Sequence, residues 1–524
     1  MTRNLFCLFL LIGIFFNTNI SAQPELDTAF NSTGKLVLSG MLASVKDIAV
    51  QSDNKIVFVS ACNTVYGPYN ICVGRLNENG SLDTTFGGHP TPGFILARIP
   101  GAAASDSWRA NGLAIQNDGK IVVAGNATFS AFTMSGIVAR YNSDGSADSS
   151  FGTNGFVITS YNQKNFSSKV LIQPDGKIVV VGYTQETDTA YQQLITRYNS
   201  DGTLDQKFSG DGFLEINIPG NFTYGSSIAL QADGKILTGG AIWTLPDSPV
   251  PPADSLLIRL NPDGTLDTTF DEDGIKNVHT DAPSAFSSGF WSLAVQSDGR
   301  ILALDSKNIL FRFNSNGSLD TSFDQDGSRS VLIENSLPHE ITVTPSGKIT
   351  VVGERLSSNS PVQYLYRVAR YLPDGSHDTN FSDDGYLEID ISDSTNDAAS
   401  AVAYDSNGRI VIGGFSATGV IKSPFTNSTW SFARLIATPV HNVGFSGKII
   451  KPDGRPVLNA FITLKSGSKI IANGRTNPFG YFHFKNIQSG QTYTLSVYSK
   501  GLTFYNRSVL VDDEIKNYLI FGEK

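Results

Sequence analysis

The chain of 524 residues is poor in several residue types, and each shortage narrows what it can be. Cysteine and methionine occur three times each and tryptophan four times. No CxxC pair is present, which removes the usual zinc-ribbon and dithiol redox chemistries. HExxH, GxSxG, the phosphate-binding loop and the glycine-rich dinucleotide fingerprint are missing too. The six histidines, His89, His279, His339, His377, His441 and His483, share no motif spacing. Charge is sparse, at 17% of residues, with 39 basic against 48 acidic side chains, a net charge of -9 and no basic block. That balance argues against nucleic acid and anionic membrane surfaces as main partners. Only one long apolar run exists, Leu5 to Phe16, and its 12 residues are too short to span a bilayer.

What is abundant points elsewhere. Fifty glycines, 33 phenylalanines and 40% hydrophobic residues supply a sizeable core and exclude wholesale disorder. Together with many Ser and Thr residues they favour an all-β chain.

Arg3, the apolar run and the small residues before Ala22 read as a secretory signal peptide over residues 1–22. An uncleaved anchor is the alternative. The expected product is a secreted protein, extracellular or periplasmic, with no transmembrane segment after cleavage. It keeps Cys62 and Cys72, which flank a short loop between two expected strands. Export permits a disulfide there, worth about 2–3 kcal/mol. Two small buried thiols are the other reading.

The strongest signal is internal repetition. The pattern LDTxF recurs with its Phe at Phe30, Phe86, Phe151, Phe208, Phe270, Phe323 and Phe381, at intervals of 53 to 65 residues. Between these lies QxDGK or a variant (QSDNK, QNDGK, QPDGK, QADGK, QSDGR, TPSGK, DSNGR). A third marker, as in RYNSDG and RLNPDG, closes most units. Unalternating apolar runs such as Ile178 to Val181 suit strands covered on both faces, and the Gly turns suit tight hairpins. About four strands per unit, seven times over, predict a seven-bladed β-propeller. The region opens with the LDTxF strand and ends with the last arginine strand. Residues 26–39 are therefore expected to form the outermost strand of the blade built from 399–438, closing the ring and removing two open edges.

These markers, across residues 25 to 438, resemble the delta-60 repeat, a bacterial propeller-type repeat of unassigned biochemical role. A more distant likeness is to NHL-type propellers. Residues 444–524 resemble a carboxypeptidase regulatory-like domain, a small transthyretin-like β-sandwich. The stretches SGKIIKPDGRPVLNAFITL and RTNPFGYFHFKNIQSGQTYTLSVYSKGLTF carry that likeness, with Asn477 where Asp is customary. The resemblance implies an adhesion or spacer module without catalytic residues. Three segments follow: 1–22 signal peptide, 24–438 propeller, and 444–524 sandwich.

Arg75, Arg140, Arg197, Arg259, Arg312, Arg370 and Arg434 recur at one place in every unit, as do Asp27, Asp83, Asp148, Asp205, Asp267, Asp320 and Asp378. A group needed once for chemistry is not copied seven times, so these are read as structural. Asp should turn the chain, Arg bridge blades or bond carbonyls, and Phe pack between blades. Acidic turns such as NPDGTLDTTFDEDG admit calcium, although turn chemistry explains them without an ion; no other cofactor is expected.

Function should sit where the units differ, on the loops opposite the QxDGK and NxDG turns. Trp108, Trp243, Trp291 and Trp430 lie in or beside those loops and are the candidate binding residues. For Trp108 and Trp291, next to an expected first strand, packing under the loops is the favoured reading; for Trp243 and Trp430, in longer loops, packing and partner binding stand even. The leading expectation is a non-enzymatic binding or scaffolding protein presenting a propeller face to a protein or glycan. A hydrolase or lyase with a hub site, assembled from separate blades and so without a motif, is the alternative. A structural repeat protein with no specific ligand is the other.

Overall fold

The computed structural model describes residues 24–38, 43–63, 69–87, 92–98, 103, 106–129, 134–162, 164–187, 190–244, 253–279, 289–331, 336–356, 363–392, 395–418, 428–436 and 442–522. Residues 1–22, expected to be a signal peptide, and most of the long loops lie outside them. Among the described residues every regular element is a strand.

Each repeat folds as an antiparallel meander. In unit 1 the strands are Val45–Val50, Ile56–Asn63, Tyr69–Leu76 and Phe94–Ala97, paired in that order. Units 2 and 3 occupy 107–159 and 164–216; units 4, 5 and 6 occupy 221–278, 290–330 and 336–389, each with the same strand order. Unit 7 has only three consecutive strands, Thr395–Tyr404, Ile410–Thr418 and Ser428–Ile436. Its free edge is taken by the N-terminal segment. Lys35–Leu38 runs antiparallel to Trp430–Ala433, and Glu25 and Leu26 pair with Ile436 and Leu435.

The middle strands are buried on both sides, which explains their unalternating apolar runs. Hydrophobic clusters lie between consecutive units, as where Val122, Val138 and Phe151 of unit 2 meet Val170, Ile178 and Tyr198 of unit 3. One cluster joins unit 7 to unit 1, with Phe30, Leu36, Trp430 and Phe432 against Val45, Phe58 and Leu76.

The repeated Arg, Asp and Phe form one staple. Each Asp Oδ1 accepts the backbone N–H two residues on, at 3.0–3.1 Å, which turns the chain. Its Oδ2 meets the Arg of the same unit at 2.6–2.9 Å. That guanidinium lies 4.5–4.9 Å over the ring of the LDTxF Phe. In six of the seven it also donates to a turn carbonyl of the following unit, for example Arg75 to Ser143 and Arg140 to Ser200. In those six the Phe slides beneath the glycine of that same turn. Gly145 has φ +88°, and a Cβ there would sit 2.9 Å from the Phe86 ring. Both its backbone angle and the ring therefore demand glycine. At the chain ends the same staple forms between Arg434 and Asp27, 407 residues apart, with Arg434 donating to Glu78 of unit 1.

Cys62 and Cys72 are buried on adjacent strands with a Cα–Cα distance of 5.8 Å, inside the span a disulfide bridges.

Residues 442–522 build a second core between two sheets. One is three-stranded (442–450 central, flanked by 481–488 and 515–521), and the other is four-stranded (461–466, 469–475, 491–498, 507–511). This sandwich touches the turns of units 5 and 6. Lys348 Nζ is 2.9 Å from Asp513, Ser346 Oγ donates to Asp512 at 2.7 Å, and Leu519 N donates to Ser297 O at 3.0 Å. In units 1 to 5 an Asp stands where unit 6 has Ser346 and accepts the backbone N–H two residues on, as Asp118 does from Lys120. The departure from QxDGK in unit 6 thus places Ser346 where it meets Asp512 of the sandwich.

Candidate functional site at the hub and loop face

The first strand of each unit lies innermost, packed against the first strands of its neighbours. All seven carry a register shift near their middle, at Lys46, Asn111, Ser168, Ser226, Trp291, His339 and Ser400. A bulge re-aims side chains from the strand faces toward the hub. Lys169 of unit 3 reaches Asp47 of unit 1 at 3.2 Å and Glu340 of unit 6 at 2.9 Å. Burial pushes the Asp47 carboxyl up to about 6, with Lys169 opposing and Glu340 adding to the rise. Burial also works to lower Lys169, but the two carboxylates outweigh it and hold the amine above its ordinary value.

These charges brace the hub. Asp47 Oδ2 accepts Leu113 N–H of unit 2 at 3.0 Å, and Glu340 Oε2 accepts Val402 N–H of unit 7 at 2.8 Å. Neutral side chains do the same elsewhere: Asn111 donates to Ser167 O, Ser168 to Gly225 O, and Ser226 to Phe290 O. Every carboxylate oxygen of the trio has a protein donor, Asp47 Oδ1 taking Ile48 N–H at 3.0 Å. Both acids are thus engaged by groups of the protein itself. His339, beside them on the bulge, pairs with Glu354 at 3.0 Å.

The acidic turns are likewise engaged by protein donors. Asp273 accepts Ile275 N–H at 2.8 Å, Asp211 accepts Phe213 N–H at 2.9 Å, and Asp271 pairs with Lys276 at 2.9 Å. Among the described residues no group of three or more His, Cys, Asp or Glu side chains is placed to hold a metal ion.

Six segments of the chain, 51–86, 116–151, 173–208, 231–270, 296–323 and 344–381, match the model of a domain of unknown function described as the DUF5122 β-propeller. This is a β-propeller protein. Among curated proteins none matches the sequence. Solved structures give broad, weak likenesses. A catalytically inactive virginiamycin B lyase from Staphylococcus aureus, solved with quinupristin, is 13% identical, covers 76% of this chain and 98% of its own, and has a TM-score of 0.39. YCF48 bound to D1 peptide is 10% identical over 76% and 95% of the two chains, with a TM-score of 0.40. An α-L-arabinanase of Penicillium chrysogenum complexed with arabinobiose is 8% identical over 78% and 96%, with a TM-score of 0.37. No activity is carried over from any of them.

On the propeller, the QxDGK and NxDG turns share one face, since successive strands alternate in direction. The opposite face holds the variable loops, and there the four tryptophans part company. Trp108 is fully buried, edge-on to Phe129 at 5.5 Å. Trp430 is 2% exposed, wedged against Phe58 at 5.0 Å and Phe94 at 5.9 Å across the contact with unit 1. Neither can meet a partner, so both leave the set of candidate binding residues; they belong to the core. Trp291 is half-buried on the bulge of unit 5.

Trp243 is half-buried too and joins a cluster that sequence reasoning missed. It sits 5.8 Å from Phe222, its partner across the strand pair, and 6.3 Å from Tyr191 of unit 3. Tyr191 continues to Tyr183 at 6.0 Å, and Tyr183 stacks on Phe166 at 4.2 Å and meets Tyr224 of unit 4 at 5.6 Å. Burial raises the Tyr183 and Tyr224 phenols, so both remain neutral donors at neutral pH. Gln185 and Gln192 stand among the rings with their amides. Six rings from two units thus line the loop face beside the hub. Between units 1 and 2, Arg109 places its guanidinium 4.5 Å over Tyr69.

Proposed function

We propose that the chain is an exported, non-enzymatic binding protein of the delta-60 type: a seven-bladed propeller over 24–438 and a carboxypeptidase regulatory-like sandwich over 444–524. In this reading the N-terminal strand seals the ring, and the unit 7 to unit 1 cluster and the Arg434–Asp27 staple support that closure. The loop face presents the partner site, centred on Trp243, Tyr191, Tyr183 and Tyr224, to a glycan or a protein. The observation that carries it is the row of half-buried rings, whose flat apolar faces and polar edges suit a ligand with both kinds of surface. The engagement of the hub carboxylates in bracing favours binding over a hub reaction. The turn face, in contrast, is partly occupied by the chain's own sandwich.

The test is a glycan array and a panel of exported proteins probed with the full chain and with Trp243→Ala and Tyr224→Ala. Ligands bound by the native chain should be lost or weakened at least about tenfold by either substitution, with unchanged melting. Binding that survives both substitutions would defeat the reading.

A further inference from the structure

The sandwich carries a surface that the loop face does not explain. Val511 pairs with Gln491 at one end of the four-stranded sheet, next to Asp512 and Asp513, while Phe461 pairs with Tyr498 at the other. That second end gathers three turns, 451–459, 477–480 and 499–502. Its apolar side chains stand in solvent: Tyr498 is 72% exposed, Phe479 69% and Leu458 61%, with Tyr481 and Phe461 also exposed.

The same end is basic. Lys448 Nζ lies 4.9 Å over Tyr481 and the Arg475 guanidinium 5.5 Å from Phe461. Lys451, Arg455 and Lys500 line a pocket of about 370 Å³ between the turns, with Asp453 the acidic group among its lining residues. Three of the five, Lys448, Lys451 and Arg455, stand in one short stretch with Asp453, which pairs with Arg455; the fold adds Arg475 and Lys500 from elsewhere in the chain. Asn477 fits the same economy of negative charge. Its Oδ1 accepts Phe479 N–H at 2.9 Å and Tyr481 N–H at 3.0 Å, shaping the turn as an Asp would but without a charge.

We propose that this end of the sandwich docks on an anionic lipid bilayer. Leucine and phenylalanine at turn tips enter the interfacial zone, tyrosines sit at its polar boundary, and the surrounding Lys and Arg pair with anionic headgroups. The chain as a whole is acidic at -9, so an anionic surface would meet it through a basic, apolar end such as this one. A bilayer is favoured over a polysaccharide because the most exposed groups protrude from separate turns rather than lining one groove.

The test is co-sedimentation of the full chain with vesicles of phosphatidylcholine alone and of phosphatidylcholine with phosphatidylglycerol. Binding should appear only with the anionic vesicles and weaken with salt. Phe479→Ser should reduce partitioning at least about tenfold and Lys500→Gln about fivefold. Ile470→Ser, 53% exposed at the opposite end, should leave binding unchanged, as should Trp243→Ala on the propeller. All these side chains are outside the cores, so melting should not move. Equal binding to both vesicle types, no binding to either, Phe479→Ser behaving as native, or retention by an anionic polysaccharide such as alginate without vesicle binding would each overturn the proposal.

Discussion

Asp27→Ala is the sharpest probe of the contact between the N-terminal segment and unit 7. Asp27 Oδ2 faces the Arg434 guanidinium at 2.8 Å, and its Oδ1 holds Ala29 N–H at 3.0 Å. Arg434 is 1% exposed, so removing its partner strands a buried cation. Breaking one side of such a pair costs about 3–5 kcal/mol, whereas a surface substitution costs about 0.5 or less. Against a whole stability of about 5–15 kcal/mol that loss is large. If the N-terminal segment is an equal member of the last unit, Asp27→Ala should cost as much as Asp148→Ala, which breaks the identical staple with Arg140 inside unit 2. Urea denaturation compares the two. Hydrogen exchange adds location: in Asp27→Ala the amides of Lys35–Leu38 should lose protection first, together with their partners in Trp430–Ala433. An Asp27→Ala cost near that of a surface substitution, or protection unchanged at those strands, would refute the reasoning.

The buried tryptophan and the loop-face tryptophan should separate cleanly in thermal melts. Trp430→Ala empties a site that is 2% exposed and should cost about 3–5 kcal/mol, while Trp243→Ala should change melting little. Acid should weaken the staples late. Burial alone would lift Asp148 and Asp267, but Ser150 and Arg140 in one case, and Lys235, Thr269 and Arg259 in the other, hold both down to about 2. The stability they contribute is present above the unfolded value near about 4 and is lost as pH falls through about 2, so a melting series should hold to pH about 4 and drop below it. For Cys62 and Cys72, alkylation of unreduced, denatured protein should find no free thiol, and reduction should lower stability by about 2–3 kcal/mol. Finally, Gly145→Ala should destabilise by more than about 1 kcal/mol, because φ +88° and the Phe86 ring both resist a methyl group.

Much of the architecture was legible because identical jobs repeat. Arg, Asp and Phe recur at fixed spacing, since every contact between units needs the same guanidinium, the same turn and the same ring. The hub was illegible for the opposite reason. Asp47, Lys169 and Glu340 each occur once at the position just after a bulge, and Lys169 and Glu340 are 171 residues apart. No spacing signals a contact made across the middle of the molecule. The aromatic row was hidden similarly: Tyr183 and Tyr224 look like ordinary strand residues until two units are set side by side. Trp430 could have been placed better. It alternates with Phe432 and Arg434 on one strand, and both of those are core positions, so its own inward direction followed from the pleat. The basic end of the sandwich was legible only in part: Lys448, Lys451 and Arg455 share one stretch, but Arg475 and Lys500 join them only in the fold.

The Arg434–Asp27 contact also has a consequence in time. The ribosome makes the strand around Lys35 ahead of the seven units, yet its partner at Phe432 emerges near the close of the propeller's translation. For that whole interval the early strand waits unpaired, and no earlier segment can finish the last sheet. Cooperative folding must then await the late strand, which places the protein among slow, non-local folders. A fragment stopping short of residue 428 should accumulate as an open-edged, association-prone species.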